Sequence, residues 1–292
     1  MIEGFLNYLR YERNYSELTI EGYGSDLRDF QMYFKSLDGD LTWQNVDADV
    51  VRGWMEQMMD KGNSATSVNR RLSALRTFYR YAMTRGLAEA NPAHTVEGPK
   101  KHKPLPQFLK EKEMDEVLDP EQWEDNFKDV RARTLLLLFY TTGIRLAELI
   151  GLDDSMVDFT KCEIKVTGKR DKQRIIPFGR ELHDELQDYM ACRDAHIPIR
   201  CGALFVTTEG ERMNRNKVRY QVQKALSRVT TLKKRTPHVL RHTFATAMLN
   251  HEAGLESVKK LLGHESLSTT EVYTHATFEQ LKRVYNNAHP RA

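Results

Sequence analysis

Through the first third of the chain, apolar residues recur at helical spacing and nothing alternates as a strand would. Leu18, Leu27, Phe30 and Phe34 follow Ser16, a good N-cap residue, and predict one long helix. Asp47 opens a second helix that runs through Trp54 and Met58 and stops near Gly62. Ser64 or Thr66 opens a third, whose stripe of Val68, Leu72, Leu75, Tyr79 and Ala82 ends at Gly86. With a short opening helix over 5–11, residues 1–92 read as a compact four-helix unit.

The pattern breaks at 91–106, NPAHTVEGPKKHKPLP, which holds four prolines and a basic cluster of Lys100, Lys101, His102 and Lys103. Proline forbids continuous helix and favours extended chain, so 93–106 reads as an interdomain linker. A basic linker suits passage alongside a duplex. Beyond it, 107–292 reads as a second domain, mainly helical with one small antiparallel sheet. Residues 130–140 are strongly apolar, with an unbroken apolar run over 135–140, and predict a buried helix. Residues 163–167 and 173–177 alternate as a hairpin around Gly168-Lys169-Arg170-Asp171-Lys172, and 203–206 is a candidate third strand. Further helices are expected at 181–193, 216–229, 237–250 and 255–262.

Composition changes this picture little. The 292 residues are 40% hydrophobic and 29% charged, ordinary for a globular chain of two domains. A net charge of +3 permits a nucleic-acid partner without requiring one, so local clusters must carry that reading. The third helix carries such a cluster: Asn69, Arg70, Arg71, Arg76 and Arg80 flank its apolar stripe, where a solvated face is the ordinary alternative to phosphate contact. The three cysteines lack CxxC spacing, which suggests neither zinc nor a disulfide framework. No apolar signal core opens the chain and no apolar run spans a bilayer, so a cytoplasmic protein with no membrane partner is expected.

Candidate chemistry lies in the second domain. Arg145 follows Gly143, which breaks the apolar helix and lets a guanidinium fork project from a buried element; Glu148, one turn on, can hold it. Thr236-Pro237 is a strong helix start, and it puts His238 and Arg241 on one face near a helix N-terminus, where anions bind. His238 and His242 also form HxxxH, but Val239 stands where a zincin needs Glu, and no metal is expected. Lys169 sits at the hairpin tip among Arg170, Lys172 and Arg174, a crowding that suits contact with a DNA backbone. His264 follows Leu262-Gly263, and Tyr273 lies nine residues later on an expected short helix. A helical tyrosine is ordinarily core, and its phenol, with a pKa of about 10, is a poor nucleophile unless cations and a base assist it. No acidic pair able to hold magnesium accompanies these residues. Two arginines, two histidines, a lysine and a tyrosine suit attack on a phosphodiester whose charge is neutralised by side chains.

These segments resemble the tyrosine recombinases (the phage-integrase family), most closely the Xer-type members. TTGIRLAELIGL resembles the first box, VTGKRDKQRIIPFG the hairpin lysine segment, PHVLRHTFAT the second box and LLGHESLSTTEVYTH the nucleophile segment. FLNYLRYERNYSELTIEGYGSDLRDF and SVNRRLSALRTFYRYA resemble the N-terminal core-binding (SAM-like) domain. The resemblance implies that Tyr273 attacks the scissile phosphate, Arg145 and Arg241 clamp it, and Lys169 protonates the leaving 5′-oxygen. His238 would handle the tyrosine proton, His264 would donate to the phosphate, and Glu148 would support. Family spacing selects Lys169 over Lys172. The resemblance also implies a C-shaped clamp on double-stranded DNA and four protomers, identical or mixed with a related recombinase, exchanging strands through a Holliday junction. No cofactor is implied. Resolution of chromosome dimers, with a DNA translocase as candidate activator, is the expected role. The alternatives are an integrase or excisionase of a phage or mobile element and a non-catalytic DNA-binding protein of this fold. The lack of an arm-binding segment before residue 1 points away from the large integrases. In the family the last helix docks on the next protomer, and Phe278, Leu281, Val284 and Tyr285 give this one an apolar face for that purpose.

Overall fold

The computed structural model describes residues 1–101, 106–168, 172–198, 200–263 and 275–292, with backbone alone at 275–277. The chain divides into two compact units, Met1–Pro104 and Leu105–Ala292.

In the first unit, α1 (Ile2–Asn7) runs on as a π-helical turn, Tyr8–Glu12, and is followed by α2 (Glu17–Leu37), α3 (Ala48–Asp60) and α4 (Ala65–Thr84). Their apolar stripes meet in an aromatic core of Phe5, Phe30, Phe34, Trp54, Phe78 and Tyr79, all fully or nearly buried. Trp43 fills its centre from the α2–α3 connection, its ring centroid 4.5 Å from that of Phe78. Helical periodicity gives no sign of it. Asp47 caps α3 by accepting the N–H groups of Asp49 and Val50, and Ser64 caps α4 by accepting that of Ser67. Ser16 starts α2 in extended geometry, but its hydroxyl turns to Thr19 instead of the backbone.

The segment after α4 is not free chain throughout. Ala93 and Val96 are buried in the N-terminal core. Arg76 Nε donates to Ala93 O at 2.9 Å, and Asn69 Nδ2 donates to Pro99 O at 2.8 Å. Proline and glycine forbid helix here, yet they do not distinguish a loose strap from a pinned one. Residues 102–105, with part of the basic cluster, lie outside the described residues.

The second unit is built around α6 (Phe127–Thr142), which is buried on nearly all sides. An all-round apolar helix requires neighbours on every face. It has them in α8 (Arg180–His196), α9 (Arg215–Leu226), α10 (Pro237–Asn250) and α5 (Glu111–Leu118). Short α7 (Leu146–Ile150) follows α6. The sheet is antiparallel in the order β1 (Val157–Asp158), β2 (Glu163–Thr167), β3 (Gln173–Pro177), with Val166 opposite Arg174 and Thr167 opposite Gln173. Its third strand is therefore 157–158. Residues 203–206 are buried and apolar without joining the sheet, and Ala203 and Val206 make only single bridges to Asp153 and Arg212.

After α10 come α11 (Leu255–Leu262) and α12 (His275–Ala288). Part of the apolar face of α12 is covered within the chain: Leu281, Tyr285 and Ala288 are buried with Phe244, Met248 and Leu262, while Phe278 and Val284 stay half-buried. Among the described residues, no helix is long and apolar enough to cross a membrane.

Candidate active site

Three chain turns meet at one cluster of charge. At the first, α6 ends on Gly143 in left-handed conformation, φ +58°. A side chain there would meet Phe244 Cδ1 at 2.6 Å and Leu262 Cδ2 at 2.8 Å, so glycine is required both by backbone and by space. The chain then restarts as α7 with Arg145 at its N-cap. Glu148 reaches back, and its carboxylate accepts the Arg145 N–H at 2.8 Å and Nη1 at 2.9 Å. The first of these bonds is the reciprocal half of a capping box, which satisfies a donor the helix start leaves free.

The second turn is the start of α10. Proline occupies the first turn as expected, but the Thr236 hydroxyl makes no cap bond. Arg241 is buried, and its guanidinium bridges Gly143 O and Leu262 O, the latter at 2.7 Å. His238 stands exposed at the rim, its ring edge-on to that of His242 with centroids 4.4 Å apart. Partial desolvation, then the charges of His242 and Arg241, push His238 below the usual imidazole range. A neutral imidazole is the form able to accept a proton.

The third turn is the end of α11. Gly263 is left-handed, φ +64°, and Arg145 Nη2 donates to its carbonyl at 2.7 Å. Arg145 and Arg241 are therefore anchored on consecutive carbonyls, those of Gly263 and Leu262. Arg174, from β3, completes the cluster with a two-pronged bond to the Glu148 carboxylate, Nη2 to Oε2 at 2.9 Å. Burial alone would raise the Glu148 pKa. The bonds and charge of Arg174, then those of Arg145, outweigh it and hold the group below the ordinary carboxylate range.

Two guanidiniums bond that one carboxylate, and Arg241 feels its charge without bonding it. Burial, followed by repulsion from Arg145 and Arg174, pushes Arg241 down to about 9. A guanidinium keeps its proton at neutral pH even so, and the excess positive charge is a standing attraction for an anion such as phosphate. Arg145 keeps 39% of its side chain exposed, so the attraction faces solvent.

Of the residues singled out in the sequence, Arg145, Glu148, Arg241 and His238 share this region, while Lys169, Arg170, His264 and Tyr273 lie outside the described residues. Lys172 is exposed beside the hairpin turn. Arg174, grouped with that turn as a DNA contact, instead points inward to Glu148. On α4, Arg70 pairs with Asp26, Arg71 with Asp29, and Arg76 and Asn69 hold backbone carbonyls. Arg80 and Arg70 are the exposed members of that set, Arg70 beside its partner Asp26. A further basic face, absent from the residues singled out above, lies on α9, where Arg215, Arg219, Tyr220 and Lys224 are exposed opposite the buried Val218, Val222 and Ala225. Its valine spacing with interleaved basic residues was the available signal.

The same fold occurs in the solved post-cleavage complex of XerH site-specific recombinase bound to palindromic difH substrate. The TM-score is 0.72 at 22% identity, covering 97% of this chain and 83% of that one. The family model "Phage integrase family" matches residues 107–280, and "Phage integrase, N-terminal SAM-like domain" matches 2–86. Tyrosine recombinase XerC of Staphylococcus saprophyticus is 39% identical over 291 residues, 99% of this chain and 97% of the relative. Tyrosine recombinase XerC of Staphylococcus aureus (strain COL) is also 39% identical, over 99% and 96%. Family model and relatives together show an enzyme of site-specific recombination, and the fold agrees. The chain belongs to the phage integrase family of tyrosine recombinases.

Proposed function

We propose that this recombinase cleaves duplex DNA with Tyr273 as nucleophile and resolves chromosome dimers to monomers by way of a Holliday junction. The observation that carries the reading is the paired anchoring of Arg145 and Arg241 on consecutive carbonyls, with more positive charge than Glu148 balances. Two planar forks fixed in this way suit the non-bridging oxygens of one phosphate. The Tyr273 oxygen bonds to phosphorus and the P–O5′ bond breaks. Lys169 supplies the proton to the departing 5′-oxygen, and His238 takes the phenol proton. His264 donates to a non-bridging oxygen. The 3′-phosphotyrosyl ester retains the energy of the diester, so attack by a 5′-hydroxyl reseals the strand without ATP. Guanidiniums here neutralise the charge that a metal ion handles elsewhere.

For grip on the duplex, we assign Arg80, Arg170, Lys172 and the exposed basic face of α9, with Arg70 keeping half of its side chain open beside Asp26. Residues 1–92 act as the core-binding domain, 107–292 as the catalytic domain and the end of the intervening segment as the linker. A cytoplasmic tetramer on two synapsed sites, homomeric or mixed, with a DNA translocase as activator, follows from the same reading. Relatives named XerC at 39% identity favour the chromosomal role over that of a mobile-element integrase.

The test is covalent capture. The purified chain is incubated with genomic DNA of its source, and attachment points are mapped. A nicked duplex made from the recovered site is then offered to the chain and to Tyr273→Phe. One chromosomal site trapped by the natural chain alone is expected. Trapping by Tyr273→Phe would remove the nucleophile assignment, and duplex binding without any trapping would make the chain non-catalytic.

A further inference from the structure

We propose that Arg174 is a positioning residue for strand cleavage: it fixes the neck of the β2–β3 hairpin against Glu148 and Arg145, so that the hairpin turn delivers the proton of Lys169 to the leaving oxygen. This rests on the reading of Lys169 as the acid.

The turn is gripped at its neck from both strands. On β3, Arg174 is only 10% exposed and spends both terminal nitrogens on Glu148. On the β2 side, the Gly168 N–H donates to Lys172 O at 2.8 Å, a backbone bond across the neck. Gly168 also lies against the same carboxylate, since a β-carbon there would stand 3.4 Å from Glu148 Oε1. That carboxylate holds the backbone and guanidinium of Arg145. One residue therefore joins the segment bearing Lys169 to the segment bearing the phosphate clamp.

Arg174 reaches a third segment as well. Its Nε approaches Leu261 O at 3.4 Å, and its chain crosses Gly263 so closely that a β-carbon there would meet Cδ at 3.0 Å. With Nη1 and Nη2 on Glu148 and Nε on Leu261 O, all three Arg174 nitrogens hold protein partners, where Arg145 and Arg241 each make two such side-chain bonds among the described residues. That separates it from Arg145 and Arg241 and from the DNA-contact role its sequence neighbours suggest. General acid catalysis depends on the distance between donor and leaving group, and a loosened neck removes that control.

The test replaces the leaving oxygen by sulfur. In cleavage, the Tyr273 oxygen bonds to phosphorus, the P–O5′ bond breaks, and O5′ takes the Lys169 proton. A 5′-thiolate leaves unprotonated, because thiols ionise near about 8.5, far below alcohols. Single-turnover cleavage is measured on nicked duplexes of the mapped site, with bridging oxygen or bridging sulfur, for the natural chain, Lys169→Ala, Arg174→Met and Arg174→Lys.

On oxygen, Arg174→Met should fall about 100-fold, the lower end of a general acid's contribution. On sulfur it should return to within about 5-fold of the natural chain, as should Lys169→Ala, with duplex affinity unchanged. Arg174→Lys keeps the charge and loses the fork, so it should show the same rescue from a smaller deficit. An equal deficit on both substrates in the soluble Arg174 variants, with Lys169→Ala rescued, overturns the role of Arg174 and leaves that of Lys169 standing. Failure of sulfur to rescue Lys169→Ala removes the acid assignment itself, and this inference with it.

Discussion

Replacing Glu148 by Gln keeps the volume of the side chain and removes the negative charge that Arg145 and Arg174 bond. Its side chain is 2% exposed and that of Arg174 10%, so their interaction is a buried pair. Removing one partner of a buried pair costs about 3–5 kcal/mol, because the other charge stays behind unpaired. Arg145 is 39% exposed, and its share belongs to the solvent-screened range of about 0–1 kcal/mol. Glutamine can still accept one bond, from the Arg145 N–H, but its amide N–H₂ then faces guanidinium donors. The lower edge, about 3 kcal/mol, is the expected loss. For a unit the size of Leu105–Ala292, that lowers Tm by roughly 6–12 °C.

Thermal unfolding at pH 7 reads this directly. The pH dependence supplies a second check with a definite sign. Glu148 has a folded pKa below its ordinary value of 4.5, so its stabilisation is complete above 4.5 and is lost as pH falls through the folded pKa. The gap between the natural chain and Glu148→Gln must therefore narrow below pH 4.5. Loss of under about 2 °C at pH 7, where roughly 2–4 °C corresponds to each kcal/mol, would refute the buried-pair reasoning. A gap that widens in acid would refute it too.

Gly143→Ala should destabilise by about 2–5 kcal/mol, the sum of a left-handed β-carbon and overpacking against Phe244 and Leu262, and denaturant unfolding measures it. Because Gly143 O also anchors Arg241, cleavage should fall more than duplex binding. His289 donates from Nε2 to Tyr140 O at 3.2 Å and accepts the Arg291 N–H at Nδ1, an arrangement that fixes it neutral. Burial first, with Arg291 and His251 adding repulsion, holds it at about 4 against an ordinary 6.5. The fold therefore loses about 3 kcal/mol as pH falls from 6.5 toward 4, and His289→Phe should flatten that part of the stability profile in acid titration. Arg76→Ala releases the carbonyls of Ala93 and Val96 and should cost about 2 kcal/mol of N-terminal stability. It should leave the salt dependence of duplex binding unchanged; a fall of about 0.9 in the log–log slope would make Arg76 a phosphate contact instead.

The sequence by itself determined the helical N-terminal unit, the buried 130–140 helix, the β2–β3 hairpin and the order of the chemical segments. Each of these is encoded locally, in a 3.6- or two-residue apolar period or in a helix start such as Thr236-Pro237. It also determined family membership, because four separated boxes in one order are a pattern too long to arise from composition. What it could not carry is which partner each charge finds. Arg174, Arg170 and Lys172 look alike as basic residues around one turn, yet Arg174 sits opposite Val166 in a register that turns it toward Glu148. Asn69 and Arg76 read as a DNA face until the strap at 93–99 folds back and takes their donors. The same holds for α12, whose apolar stripe states only that something must cover it; this chain's own α10 and α11 cover Leu281, Tyr285 and Ala288. Periodicity fixes which side of an element is buried. Only three-dimensional packing decides what buries it, because those contacts join residues tens to more than a hundred positions apart, as Arg145 and Gly263 are.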